Sequence, residues 1–170
     1  MSSPDFIYKV ILLGESAVGK TSLVQRYVYD SLSPDIGRTI GAILHVKTVE
    51  LDDTVFKLVI WDIAGQESYG QMREQYCANA SGALFVFDRS RPETLGCIDG
   101  WLESLYSSTG EVPVLVLENK VDLEPIFSPE DIKRETDKRG LQFMQTSATE
   151  SKNVNEAFTR LVRAVRSRKS

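Results

Sequence analysis

Gly14, Gly19, Lys20 and Thr21 carry the clearest chemistry in this chain. Four residues separate the glycines and Lys20-Thr21 follow at once, which fits G-x-x-x-x-G-K-[ST] without a mismatch. Glycine at both positions lets the backbone turn tightly and approach a ligand with no Cβ in the way. Backbone N–H groups across Ser16, Ala17, Val18 and Gly19 then face inward, joined by those of Lys20, Thr21 and Ser22 at the start of a helix. Lys20 brings a full positive charge for β- and γ-phosphates, and the Thr21 hydroxyl is placed to ligate Mg2+. The alternative, a glycine-containing turn that binds nothing, would not require strand, loop and helix in this order. The stretch implies a polyphosphate site.

Two further groups complete a site only in company with the first. Asp62 closes an apolar run and is followed by Ile63-Ala64-Gly65-Gln66. A carboxylate there can hold Mg2+ through water, and Gly65 lets the backbone come close to a γ-phosphate. Asn119-Lys120-Val121-Asp122 follows another apolar run. Asp122 can accept two hydrogen bonds from guanine N1–H and N2–H2. Adenine offers an acceptor and a C–H on that edge, which would leave the carboxylate unpaired, a mismatch worth up to ~10^4-fold in discrimination. The Lys120 stem can lie along the base and Asn119 can tie this loop to the phosphate loop. Thr146-Ser147-Ala148 can offer backbone N–H groups to guanine O6.

The elements that must position these residues follow from hydrophobic pattern and breakers. Phe6 to Leu13 reads as a strand, and Lys20 to Tyr29 as a helix whose Leu23, Val24 and Tyr27 face a core. Asp30 to Thr39 is a long polar loop with Pro34 and Gly37. Ile43–Leu51 and Val55–Trp61 form a hairpin about Asp52-Asp53-Thr54. Ser68 to Asn79 reads as a polar helix, Ala83–Phe87 as a strand buried on both faces and capped by Asp88. One helix runs from Pro92 through Trp101, Leu102 and Leu105. Val114–Leu117 is a strand, Ser128-Pro129 opens a helix that Gly140 closes, and Leu141–Gln145 is the last strand. The final helix turns Val154, Ala157, Phe158, Leu161 and Val165 to one side. The order gives an α/β sheet of six strands, mostly parallel with one antiparallel strand, and helices on both faces. Ligands of such sheets bind beyond the carboxyl ends of the strands, where every motif above lies.

Length and charge bound the rest. With 170 residues the chain is expected to form one domain, residues 1–170. A hydrophobic share of 42%, a charged share of 26% and a net charge of -4 describe an ordinary water-soluble protein and argue against general nucleic-acid binding. No apolar run nears the ~20 residues of a membrane span, and MSSPDFIYKV has no leader pattern. Cys77 and Cys97 have no metal-type spacing and read as reduced thiols of a cytoplasmic protein; the lone His45 takes no role.

With these residues in place, the chain resembles a small GTPase of the Ras superfamily, nearest in pattern to the Rab and Ras branches. GESAVGKTSL, Thr39-Ile40-Gly41, WDIAGQE, NKVDL and TSA occur in the family's order and spacing across essentially the whole chain. That resemblance implies a P-loop fold in three layers and a guanine-nucleotide switch that binds GTP or GDP with Mg2+ and hydrolyses GTP. It implies that Thr39 ligates Mg2+ and meets the γ-phosphate in the first switch, and that Gln66 orients the attacking water. Thr149 follows the base-binding TSA and completes the expected nucleotide contacts. Hydrolysis unaided would be slow, roughly 10^-4 to 10^-3 per second by comparison with Ras. Effectors, exchange factors and GTPase-activating proteins would meet the switch surfaces of a monomer. Membrane contact would be peripheral if it occurs: the basic stretch Arg160 to Ser170 could meet an anionic surface, although cations also simply suit a helix C-terminus. The sequence carries no C-terminal cysteine motif, and whether it stops short of a lipid anchor or works without one stays open.

The chain also departs from the family's pattern. Leu32 stands where an aromatic residue usually packs beside guanine, and Thr149 replaces a lysine. Tyr76-Cys77-Ala78-Asn79 and Phe87-Asp88-Arg89-Ser90 differ from the usual Rab sequences. Arg38, beside Thr39, suggests an arginine acting in cis on transition-state charge, against a plain solvated loop residue. Two other readings are a GTP-binding scaffold that does not hydrolyse and a different P-loop enzyme such as a nucleotide kinase. Gln66 and Thr39 oppose the first, Asp122 and Gln66 the second.

Overall fold

Val10 to Leu13 are completely buried, and alternate residues of their strand serve different sides of a sheet. The computed structural model describes residues 3–32, 42–63 and 70–169. Its strands are β1 (Phe6–Leu13), β2 (Ala42–Leu51), β3 (Thr54–Ile63), β4 (Gly82–Asp88), β5 (Val114–Asn119) and β6 (Gln142–Gln145). Its helices are α1 (Lys20–Tyr29), α2 (Gly70–Cys77), α3 (Glu93–Gly96), α4 (Ile98–Thr109), α5 (Pro129–Asp137) and α6 (Val154–Lys169). They surround one six-stranded sheet in the order β2-β3-β1-β4-β5-β6. All neighbours are parallel except β2 against β3. The expected architecture is the one observed.

Two apolar cores divide the chain by strand parity, because successive strand side chains point to opposite faces. Tyr8, Val10 and Leu12 join α1 and α6 through Leu23, Val24, Phe158 and Leu161. Tyr27 and Phe158 stack with ring centroids 3.9 Å apart, clamping those two helices together. Ile11 and Leu13 pack on the other face with Phe85, Phe87, Trp101 and Leu105. Helices therefore cover both faces, which is why β4 and β5 are buried along their whole length.

Three local expectations change. Thr54 is not part of the hairpin turn; it pairs with Leu51, leaving Asp52-Asp53 at φ 51° and 62°. A two-residue turn with both φ values positive matches the twist of the flanking strands, so the turn contracts to it. The helix expected to run unbroken from Pro92 is two, α3 and α4, divided at Cys97, whose backbone lies at φ -91° and ψ 8°. Gly96 is a poor helix former there, and the Cys97 thiol donates to the Thr94 carbonyl at 3.2 Å. Strand ends reach a residue or two past the apolar runs, so Asp62, Asp88 and Asn119 sit inside β3, β4 and β5 rather than just beyond them. Ser128 does cap α5, accepting from the Asp131 N–H at 3.1 Å, with Pro129 in the first turn.

Candidate nucleotide site

The carboxyl ends of β1, β3, β4, β5 and β6 bring the predicted residues together. Between β1 and α1 the chain turns through Gly14 at φ 138°, Ala17 at φ 66° and Gly19 at φ 104°. The loop has no room for larger residues at its ends. A Cβ on Gly14 would lie 2.3 Å from the Val86 carbonyl oxygen, and one on Gly19 2.3 Å from Asn119 Nδ2. Val18 is fully buried, while Ala17 is exposed and Ser16 and Ser22 are half-buried. Gly19 occupies the cap position of α1, whose first turn holds Lys20, Thr21 and Ser22. That helix end presents the N–H groups of its first turn and the positive end of its dipole.

Lys20 is buried, and its Nζ donates to the Gly14 and Glu15 carbonyls at 2.6 and 2.8 Å. Burial pushes the ammonium down to about 8, opposed by the nearby Asp62 and Glu15 carboxylates. A lysine held inside its own loop in this way is a cation placed for an anion in that loop. Beside it the Thr21 hydroxyl donates to Asp62 Oδ2 at 2.5 Å, with Asp62 fully buried. Hydroxyl and carboxylate oxygens converging next to a phosphate cradle are a hard-donor pair, which fits Mg2+.

The base-side loops are tied to this cradle. Asn119 Nδ2 donates to the Val18 carbonyl at 2.9 Å, and its Oδ1 accepts from Thr146 Oγ1 at 3.0 Å. Lys120, at φ 65°, reaches back to donate to the Ala17 carbonyl at 2.9 Å and pairs with Asp88 at 2.9 Å. Asp122 is exposed at the site and accepts from Ser147 Oγ at 2.9 Å. Ser147 and Ala148 are buried and Thr149 is exposed, and Arg26 of α1 donates to the Ala148 carbonyl at 2.9 Å. Leu32 packs partly buried against the α1–α6 core. Thr39, Gly65 and Gln66, with Arg38, lie outside the described residues.

Sequence reasoning passed over four polar residues that hold these loops. Asp88 accepts from the Ser90 N–H at 2.8 Å and Ser90 Oγ at 2.7 Å, besides its pair with Lys120. Burial works against its charge, but the Ser90 and Lys120 bonds outweigh it and hold the carboxyl below the usual range. Arg91 Nη1 donates to the Ser16 carbonyl at 3.1 Å. Arg89 and Glu118 pair at 2.9 Å behind the base-side loop. A signal existed for three of them: Asp88 and Arg89 lie in the stretch that departs from the Rab pattern, and Glu118 is a charged residue directly at the end of the apolar run Val114–Leu117.

Comparison with known proteins gives the chain's family. A family model described as Ras family matches residues 9–167. The chain is 37% identical over 161 residues to the Ras-related protein RABA4b of Arabidopsis thaliana, covering 93% of this chain and 72% of that protein. RABA1c of the same plant shows 37% identity over 161 residues, covering 93% and 74%. Ras-related protein Rab11A of Lotus japonicus is 37% identical over 158 residues, covering 91% and 70%. With a family match over nearly its whole length and relatives above one third identity, the chain belongs to the Ras family, as a Rab-like small GTPase that binds guanine nucleotide and hydrolyses GTP.

Proposed function

We propose that residues 1–170 act as one G domain in which the described loops hold GTP or GDP in defined roles. Gly14 and the backbone of Ser16 through Ser22 cradle the phosphates, and Lys20 neutralises the β- and γ-phosphate charge. Thr21 and Asp62, with Thr39, are the residues that would hold Mg2+, Asp62 through water; bound there, the ion would offset charge building on the phosphate oxygens. Asp122 reads guanine N1–H and N2–H2, Lys120 lies along the base, and Asn119 locks the base loop to the phosphate loop. Ser147, Ala148 and Thr149 frame the O6 edge. Gly65 meets the γ-phosphate and Gln66 orients the attacking water, so Gln66 is the catalytic residue. The observation that carries this reading is the bond from Asn119 to Val18, which joins a phosphate cradle to a guanine-type carboxylate loop.

The same reading makes the protein a monomeric regulator of Rab type in membrane traffic or signalling. Effectors, exchange factors and activating proteins are its protein partners. It works in the cytoplasm and meets membranes peripherally; no helix among the described residues is long and apolar enough to cross one. Nothing in the fold or the comparisons favours a non-hydrolysing scaffold. The test is single-turnover hydrolysis of bound GTP by the wild type and by Gln66→Leu. A slow wild-type rate that the substitution abolishes supports the assignment, and equal rates would remove Gln66 from it.

A further inference from the structure

Glu118 is 1% exposed, yet none of the nucleotide roles above uses it. It stands in β5 directly before Asn119, and both of its carboxylate oxygens are engaged. Oε2 accepts from Arg89 Nε at 2.9 Å and Oε1 from Gln145 Nε2 at 3.1 Å. Arg89 does not stop at this ion pair. Its Nη1 donates to the carbonyls of Val121 at 3.0 Å and Leu123 at 3.1 Å, the two residues on either side of Asp122. Its own N–H donates to the Asn119 carbonyl at 3.1 Å. Gln145, on the other side of the carboxylate, immediately precedes Thr146-Ser147-Ala148, and Ser147 Oγ closes the circuit on Asp122. One buried carboxylate thus touches the supports of both loops that would face the base.

Packing alone does not call for such an arrangement. A buried ion pair is costly to desolvate and is commonly no more stabilising than apolar residues of the same volume. What an arginine adds here is a rigid planar fork that binds an acid through Nε and two carbonyls through Nη1 in a fixed geometry, which the single point-like ammonium of a lysine does not reproduce. Asp122 sits in an exposed turn without strand or helix bonds of its own, so its carbonyl neighbours decide where its side chain points.

We propose that Arg89, held by Glu118, is a positioning residue for base recognition, fixing Asp122 and thereby setting guanine selectivity and the rate of nucleotide release. This inference rests on the assignment of Asp122 to guanine. Inosine diphosphate lacks the 2-amino group that Asp122 would accept, so the ratio of its release rate to that of GDP measures how well Asp122 is placed.

The experiment follows release of fluorescent GDP and fluorescent inosine diphosphate from the full chain, chased with excess unlabelled nucleotide, beside a thermal melt. The double variant Arg89→Met with Glu118→Met removes the pair without leaving a lone buried charge. It is expected to melt near the wild type and to release GDP on the order of 10-fold faster, as for loss of hydrogen bonds to a charged group, with inosine diphosphate release rising less. Arg89→Lys keeps the charge opposite Glu118 but lacks the fork; it should retain the melt and still lose part of the ratio. Should the double variant fail to fold, the ratio in Arg89→Lys decides. Unchanged ratios in folded variants, or both nucleotides accelerated by the same factor, would overturn the bracket while leaving the Asp122 assignment intact. A wild type that releases inosine diphosphate no faster than GDP would bring down that assignment, and the bracket with it.

Discussion

Gly19 and Asn119, a hundred residues apart in the chain, are so close that a Cβ on the glycine would sit 2.3 Å from the asparagine amide nitrogen. The same amide donates to Val18 one residue earlier. Gly19→Ala therefore has two costs: a left-handed φ of 104° that alanine resists, and displacement of Asn119 from its bond. Destabilisation on the order of 1–3 kcal/mol is expected from the backbone alone. Calorimetry of the variant should show this loss together with faster GDP release; an unchanged melt would mean that the loop adapts and Asn119 is not locked.

Asp88 gives a pH test. Its folded carboxyl lies below the usual range because the Ser90 and Lys120 bonds overcome burial. A depressed carboxylate contributes stability that is present above the unfolded value, near pH 4, and is lost as pH falls through the folded value. Asp88→Asn should cost about 1–3 kcal/mol at neutral pH. Melts between pH 3 and 7 should show a constant gap from the wild type above about pH 4–5 and a narrowing gap below it. A gap that widens in acid would contradict the sign.

The phosphate cradle, strand β1 and helix α1 were legible because each is a local pattern. Gly14 through Thr21 form a contiguous motif, and Leu23, Val24 and Tyr27 keep helical spacing. Asp62, Asn119, Asp122 and Ser147 were legible because an apolar run ends at each loop. Arg89, Glu118 and Arg91 were not, since their partners lie 29 residues away for Arg89 and Glu118 and 75 for Arg91 and Ser16. Asp88 bonds locally to Ser90, but its link to the site runs through Lys120 at another strand end. Side-chain bonds of that range leave no periodicity. The division at Cys97 was missed for another reason: Pro92 and the later apolar spacing both favour helix, and only the backbone at Gly96-Cys97 breaks it.

Arg91 should matter modestly. Its single bond to the Ser16 carbonyl steadies the phosphate loop from outside, while its pair with Glu93 is exposed. Arg91→Ala is expected to speed GDP release roughly 2–5-fold, the worth of one net hydrogen bond, with no change in base preference. Stopped-flow release of GDP and inosine diphosphate reads both. A shift in the ratio between them would place Arg91 in base recognition instead.

Removing the Asp122 carboxylate should act on guanine alone. Asp122→Ala is expected to weaken GTP by about 100-fold or more, as for a site that loses the group reading its ligand, and to leave weak ATP binding where it was. Competition of both nucleotides for the variant and wild type checks this. Equal losses for ATP and GTP would make Asp122 a structural residue rather than a reader of the base.

The most direct measurement denatures the purified protein and identifies the released nucleotide by chromatography. Near-stoichiometric GDP is predicted, because guanine selection, slow release and completed hydrolysis must all hold for it to appear. Adenine nucleotide in its place, or a protein that comes away empty and does not take up added GTP, would contradict the account.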